Sequence, residues 1–253
     1  MSILAVENLE KSYSGFQAVK GVTFSMRAGE MLALIGPNGA GKSTCFNMIN
    51  GQLLPSAGRI RIFGRDVTGM AAREVWRLGV GRTFQIAATF ASMTVAENVQ
   101  AALLSYRPHW AAGRWAARYY RGEASDLLTL VGMADQAQRS CGELAYGDVK
   151  RLELAVALAN DPKLLLMDEP TAGMAPNERA ALMTLLTRIA RERAIGILFT
   201  EHDMDAVFAH ADHILVLNRG EIIAQGPPAQ VRANAEVQAV YLGAGSLLEG
   251  ASH

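Results

Sequence analysis

The chain has 253 residues, half of them apolar and 19% charged, enough for a sizeable core in one large domain or a domain with a subdomain. Lysine plus arginine number 24 and aspartate plus glutamate 24, so charge gives no reason to expect nucleic acid as a partner. No apolar run approaches the roughly 18 residues of a membrane span, and the two cysteines, Cys45 and Cys141, suggest neither a metal cluster nor a disulfide framework.

The opening, Met1 to Glu7, lacks the basic region and apolar stretch of a signal peptide, so a cytosolic location is expected. Residues 3–9 and 21–26 alternate apolar and polar and are expected to be strands. Tyr13 falls in a polar, flexible stretch between them, where an aromatic ring can stack on a base. Met31 to Ile35 is a short apolar run of the buried-strand kind. It leads into Gly36-Pro37-Asn38-Gly39-Ala40-Gly41-Lys42-Ser43-Thr44, and Cys45 to Ile49 then begins a helix. Strand, glycine loop and helix are the context a phosphate-binding loop requires. The glycines let successive N–H groups face one hollow, and the helix aims its positive end there. Lys42 is expected to reach the β- and γ-phosphates and Ser43 to bind Mg2+. Cys45, in the first turn of that helix, is expected to be a reactive thiol if it is accessible.

Arg59 to Gly64 alternates as a strand, residues 70–77 are expected to be helical, and Gly79 to Gln85 is a short strand ending on a polar side chain. From about 86 to 142 alanine and leucine dominate, with helices expected over 94–104 and 123–132. This has the character of a helical subdomain inserted into an α/β core. Within it, Arg107 to Arg121 carries Trp110, Trp115, Tyr119 and Tyr120 with several arginines and no acid, and is expected to be a solvated, partly packed helical face. Asp148 to Asn160 is an amphipathic helix, Leu164 to Met167 a buried strand ending on Asp168 and Glu169, and 176–193 a helix. Ile195 to Thr200 is a strand ending on Glu201, His202 and Asp203. A short helix over 204–210 leads to a hairpin of Asp212 to Leu217 with Glu221 to Ala224, and 228–242 is expected to be one helix. The tail from Gly243 is rich in glycine, serine and alanine and is expected to be mobile.

Ligands of open α/β sheets sit outside the carboxyl ends of the strands. The strand ends here deliver the phosphate loop, Gln85, Asp168 with Glu169, and His202, a set suited to phosphoryl transfer. Asp168 is expected to be the acidic partner of Mg2+. Glu169 lies where it could polarise an attacking water. Gln85 has a carbonyl for the metal and an amide for that water. His202 could hydrogen-bond the γ-phosphate and stabilise charge in the transition state.

At these residues the chain resembles the ATP-binding subunits of ABC transporters, over essentially its whole length. The most specific stretch is Gly142-Glu143-Leu144-Ala145-Tyr146-Gly147-Asp148, similar to the family signature written LSGGQ. The resemblance implies that Leu144, Ala145, Tyr146, Gly147 and Asp148 contact the γ-phosphate of ATP held by a second cassette. It implies that Tyr13 stacks on adenine, that Gln85 is the Q-loop glutamine, that Asp168 and Glu169 are the Walker B aspartate and catalytic base, and that His202 is the switch histidine. ATP and Mg2+ are the implied cofactors. The implied partners are a second ABC ATPase subunit, of the same or a different chain, membrane permease subunits, and indirectly a periplasmic or extracellular solute-binding protein. The place implied is the cytoplasmic face of the inner membrane. LAYG, Glu169 to Met174, Glu201 to Met204 and Val240 to Gly243 are similar to the ATPases of branched-chain amino acid importers. Urea or amide importers and lipopolysaccharide exporters have related ATPases. A soluble ABC ATPase of translation or repair would carry two cassettes or a long insertion, and a GTPase would show N-K-x-D.

The fold expected is α/β: a P-loop NTPase core with a mostly parallel sheet, an antiparallel β subdomain and an inserted helical subdomain. Residues 1–85 and 146–242 form the core with its β subdomain, 86–145 the helical subdomain and 243–253 the tail. Ala145 in place of the signature serine, Asp148 in place of its glutamine and Ala175 at the D-loop position are departures from the family pattern. Asp148, beside an expected phosphate, could pair with Arg151 one turn on or turn outward to water.

Overall fold

The computed structural model describes residues 2–83, 89–106 and 120–242. Two long strands open the chain, β1 (Ser2–Tyr13) and β2 (Phe16–Arg27), joined by the tight turn Ser14–Gly15. Both run longer than their alternation suggests. Register shifts in β1 between Val6 and Leu9, and again before Lys11 and Ser12, swap which side chains face the core, so the period of two breaks while pairing continues. Tyr13 is therefore not in a flexible connection. It is the last residue of β1, paired with Phe16 across a turn whose residues have φ of 41° and 92°.

Next come β3 (Met31–Ile35), α1 (Lys42–Ile49), β4 (Ala57–Ile62) and the two-residue β5 (Arg65–Asp66). Then follow α2 (Ala72–Arg77), β6 (Val80–Thr83), α3 (Val95–Tyr106), α4 (Arg121–Leu130) and α5 (Tyr146–Leu158). The remainder is β7 (Leu164–Asp168), α6 (Pro176–Arg193), β8 (Gly196–Thr200), α7 (Met204–His210), β9 (His213–Asn218), β10 (Glu221–Gly226), α8 (Pro228–Arg232) and α9 (Ala235–Leu242). The helix expected over 228–242 is two helices, because Asn234 Oδ1 accepts the N–H groups of Glu236 and Val237 and starts a new one.

One antiparallel sheet has the order β2-β1-β4-β5. The other, six-stranded, has the order β10-β9-β3-β8-β7-β6 and is parallel except for β10. Its central strands β3, β7 and β8 are apolar because both faces are covered, with polar side chains only at the carboxyl ends of β7 and β8, Asp168 and Thr200. Met31, Ala33, Ile35, Leu165, Met167, Ile197 and Phe199 enter one core, shared with α3 to α6. Leu32, Leu34, Leu164, Leu166 and Leu198 enter the other, shared with α1 and the antiparallel sheet. This sheet sets the carboxyl ends of β3, β8 and β7 side by side.

Candidate functional site

The phosphate loop leaves β3 and turns into α1. Gly36 has φ of 151°, and a Cβ there would lie 2.1 Å from Leu217 O. Gly41 has φ of 103°, and a Cβ there would lie 2.7 Å from Ala18 O. The loop is thus clasped between β9 and the start of β2 at positions where only glycine fits. Gly41 begins α1 without a side-chain cap, so the orphan N–H groups of the first turn stay free for an anion. Pro37 is half-buried, Asn38 and Gly39 are exposed, Ala40 is buried, Ser43 is exposed and Thr44 is half-buried. Lys42 is buried, and its Nζ donates to Gly36 O at 2.7 Å and Pro37 O at 3.1 Å. Burial pulls its pKa down, against the charges of Glu169 and Asp168, which push it up. An uncapped glycine hollow with a buried cation at its floor fits a polyphosphate.

Asp168 ends β7, and its Oδ1 accepts from Thr200 Oγ1 at 2.6 Å. Glu169 turns away with φ of 50°, its N–H shared between Thr200 O and Thr200 Oγ1. His202 Nε2 donates to Glu169 Oε1 at 2.8 Å. Glu201, buried, accepts from Thr171 N and Oγ1 at 2.8 and 2.7 Å. Asp203 caps α7 through Ala206 N and pairs with Arg179 of α6. The structure therefore brings Lys42, Asp168, Glu169 and His202 to one edge of the sheet. Thr200, Thr171 and Glu201 join them, and the sequence pattern gave these no part. A carboxylate directly before His202 was the available signal. Gln85 lies outside the described residues, two positions past the end of β6, and so do 107–119 of the arginine and aromatic stretch and the tail. Among the described residues no group of three or more His, Cys, Asp or Glu is placed to hold a metal ion. One carboxylate and a hydroxyl suit Mg2+, which takes most of its ligands from phosphate and water.

Tyr13 is 45% exposed at the hairpin tip, with Lys11 Nζ 5.1 Å from its ring centre. The signature residues form the entry to α5. Leu144 is half-buried, Ala145 is the uncapped N-terminal residue, and Tyr146 is 50% exposed. Gly147 is buried against the Glu178 carboxylate, and Gly173 packs on the Tyr146 ring. Asp148 does not pair with Arg151. Its Oδ2 accepts from Gln136 Nε2 at 2.9 Å, and Arg139 in turn donates to Gln136 Oε1 at 3.1 Å. The spacing along α5 allowed an ion pair, but a side chain from outside the helix reaches the carboxylate first.

Cys45 is fully buried, and burial pushes its thiol up to about 12. The helix N-terminus does not activate it. Burial therefore keeps it in the unreactive thiol form at neutral pH. We expect iodoacetamide to leave Cys45 unmodified in the native protein, with or without MgATP, and to label it fully after unfolding. Rapid native labelling that MgATP blocks, read by mass spectrometry, would contradict this.

A family model described as ABC transporter matches residues 19–172, and one described as branched-chain amino acid ATP-binding cassette transporter matches 221–246. The chain is 37% identical over 249 residues to the high-affinity branched-chain amino acid transport ATP-binding protein BraF of Pseudomonas aeruginosa, covering 95% of this chain and 98% of that one. It is 37% identical over 255 residues to the phosphonates import ATP-binding protein PhnC 2 of Haloarcula marismortui, covering 98% and 92%. A crystal structure of the ADP conformation of an ATP-binding cassette from an ABC transporter is similar with a TM-score of 0.84 at 31% identity, covering 96% of this chain and 99% of that one. With a glycine phosphate loop set beside Asp168 and Glu169 on a shared sheet edge, the chain belongs to the ABC transporter family, as an ATP-binding cassette and ATPase.

Proposed function

We propose that the chain is the ATPase subunit of an importer for branched-chain or other hydrophobic amino acids. Overall identity does not choose the solute, since BraF and PhnC 2 are both 37% identical to this chain. The observation that carries the solute class is the match of residues 221–246, covering β10, α8 and α9, to the branched-chain family model.

In this reading the glycine loop and Lys42 hold the β- and γ-phosphates, and Tyr13 supports the base. Ser43, Asp168 and Gln85 are the protein ligands of Mg2+, which when bound neutralises phosphate charge. Glu169 accepts a proton from the attacking water, and His202 holds Glu169 in place and contacts the γ-phosphate. The signature residues 144–148 pack on Gly173 and Glu178 of their own chain and leave Tyr146 half-exposed. That exposed helix entry supports a second cassette as the partner across the nucleotide.

Among the described residues no helix is long and apolar enough to cross a membrane. In this reading a separate permease supplies the pore. A cleft of about 420 Å³ between α2, α3, α5 and β6, walled by Val75, Trp76, Ala102 and Ala157, adjoins the strand that leads to Gln85. We assign this cleft to the permease. The chain would then work at the cytoplasmic face of the membrane, with a solute-binding protein reached through the permease. The test is to purify the chain with its permease in proteoliposomes and add solute-binding protein loaded with leucine, isoleucine, valine or a phosphonate. Stimulation of ATP hydrolysis by the amino acids alone supports the reading; stimulation by the phosphonate alone overturns it.

A further inference from the structure

Consecutive residues at the end of β8 are tied to the segment that follows β7. Thr200 bonds Asp168, Glu201 bonds Thr171, and His202 bonds Glu169. The flanking contacts serve side chains assigned above. The middle one involves a carboxylate that is only 4% exposed. Burying a carboxylate is costly unless it is well bonded, and here burial raises its pKa. One of its oxygens, Oε1, takes both donors of Thr171. The other, Oε2, accepts from His202 N at 3.3 Å. A single side chain therefore spans from the loop after Glu169 to the backbone that carries His202. That loop is under restraint. Glu169 sits in the left-handed region at φ of 50°, and Ala172 N donates back to Glu169 O at 3.1 Å.

We propose that Glu201 is a positioning residue for ATP hydrolysis, bridging Thr171 and the His202 backbone and so fixing the Glu169 and His202 side chains against each other. This rests on the parts given to Glu169 and His202 under the proposed function.

Glu201→Gln separates the two ends of the bridge. Its amide oxygen still accepts from Thr171, while its NH2 meets the His202 N–H, donor against donor. Thr171→Val removes the hydroxyl donor, and Thr171→Ser returns it. Each variant of the full chain is measured for MgATP affinity and for single-turnover hydrolysis. Glu201→Gln and Thr171→Val are expected to bind MgATP within about twofold of wild type. Their hydrolysis falls about ten- to a hundredfold, as small misplacements of reacting groups do, and Thr171→Ser recovers it. In a Glu169→Gln background, Glu201→Gln costs nothing further, because there is no base left to position.

Wild-type hydrolysis in both Glu201→Gln and Thr171→Val, or equal losses from Glu201→Gln with and without Glu169, would overturn the proposal and leave Glu169 in its place. Wild-type turnover in Glu169→Gln itself removes Glu169 from the mechanism and this proposal with it. Should Glu201→Gln fail to fold, the Thr171 pair carries the test, since it leaves the carboxylate intact.

Discussion

Glu169→Gln is expected to bind MgATP as wild type does and to lose hydrolysis by about a hundred- to ten-thousandfold, the usual worth of a general base. The geometry makes the substitution selective. The Glu169 backbone is held by Thr200 through its own N–H, which the change does not touch. Its Oε1 accepts from His202 Nε2 at 2.8 Å, and the amide oxygen of glutamine can accept the same bond. The side chain therefore keeps its place and its partner and loses only the capacity to take a proton. The Glu169 side chain is 27% exposed, open enough for a water to approach. Blocked hydrolysis with intact binding should also accumulate an ATP-bound dimer, detectable by light scattering. Turnover at the wild-type rate would remove Glu169 from the mechanism.

Much of this site was legible along the chain because the fold presents it at strand ends. A fully apolar strand needs both faces covered, and its first polar residue marks where the sheet meets solvent. Asp168 and the phosphate loop were found that way. Helix limits were legible where caps are local. Pro176 opens α6, and Asp203 caps α7, and both helices fall on the expected bounds. Elsewhere the determining contact lay off the element. Bulges in β1 hid its length from the alternation. Gln136 took Asp148 from Arg151. Cys45 stands at a helix start, but the second core covers it. Glu201 was given no part beyond following its strand, and only the approach of the Thr171 loop shows it as a buried clasp.

Lys42→Met is expected to separate stability from binding. The lysine Nζ is bonded to Gly36 O and Pro37 O, and its charge interacts with Glu169 and Asp168. Removing it takes a donor from two carbonyls, but it also removes the cost of burying an ammonium. These terms oppose each other at about 1–3 kcal/mol each, and methionine fills similar space, so the transition temperature of the free protein should move little. Nucleotide binding has no such compensation. A charged hydrogen bond is worth about 1.5–3 kcal/mol, and without the lysine Asp168 and Glu169 face the phosphates unopposed. A loss near 3 kcal/mol raises Kd about a hundredfold. At MgATP one hundred times the wild-type Kd, wild type gains about 2.7 kcal/mol, or roughly 5–10 °C for a chain of this size. Lys42→Met at the same concentration sits near its own Kd and should gain about 0.4 kcal/mol, roughly 1 °C. Differential scanning calorimetry with and without MgATP reads both quantities. Equal shifts in the two proteins would show that Lys42 does not hold phosphate, and a fall of the free transition by more than about 10 °C would make it a structural residue of the loop.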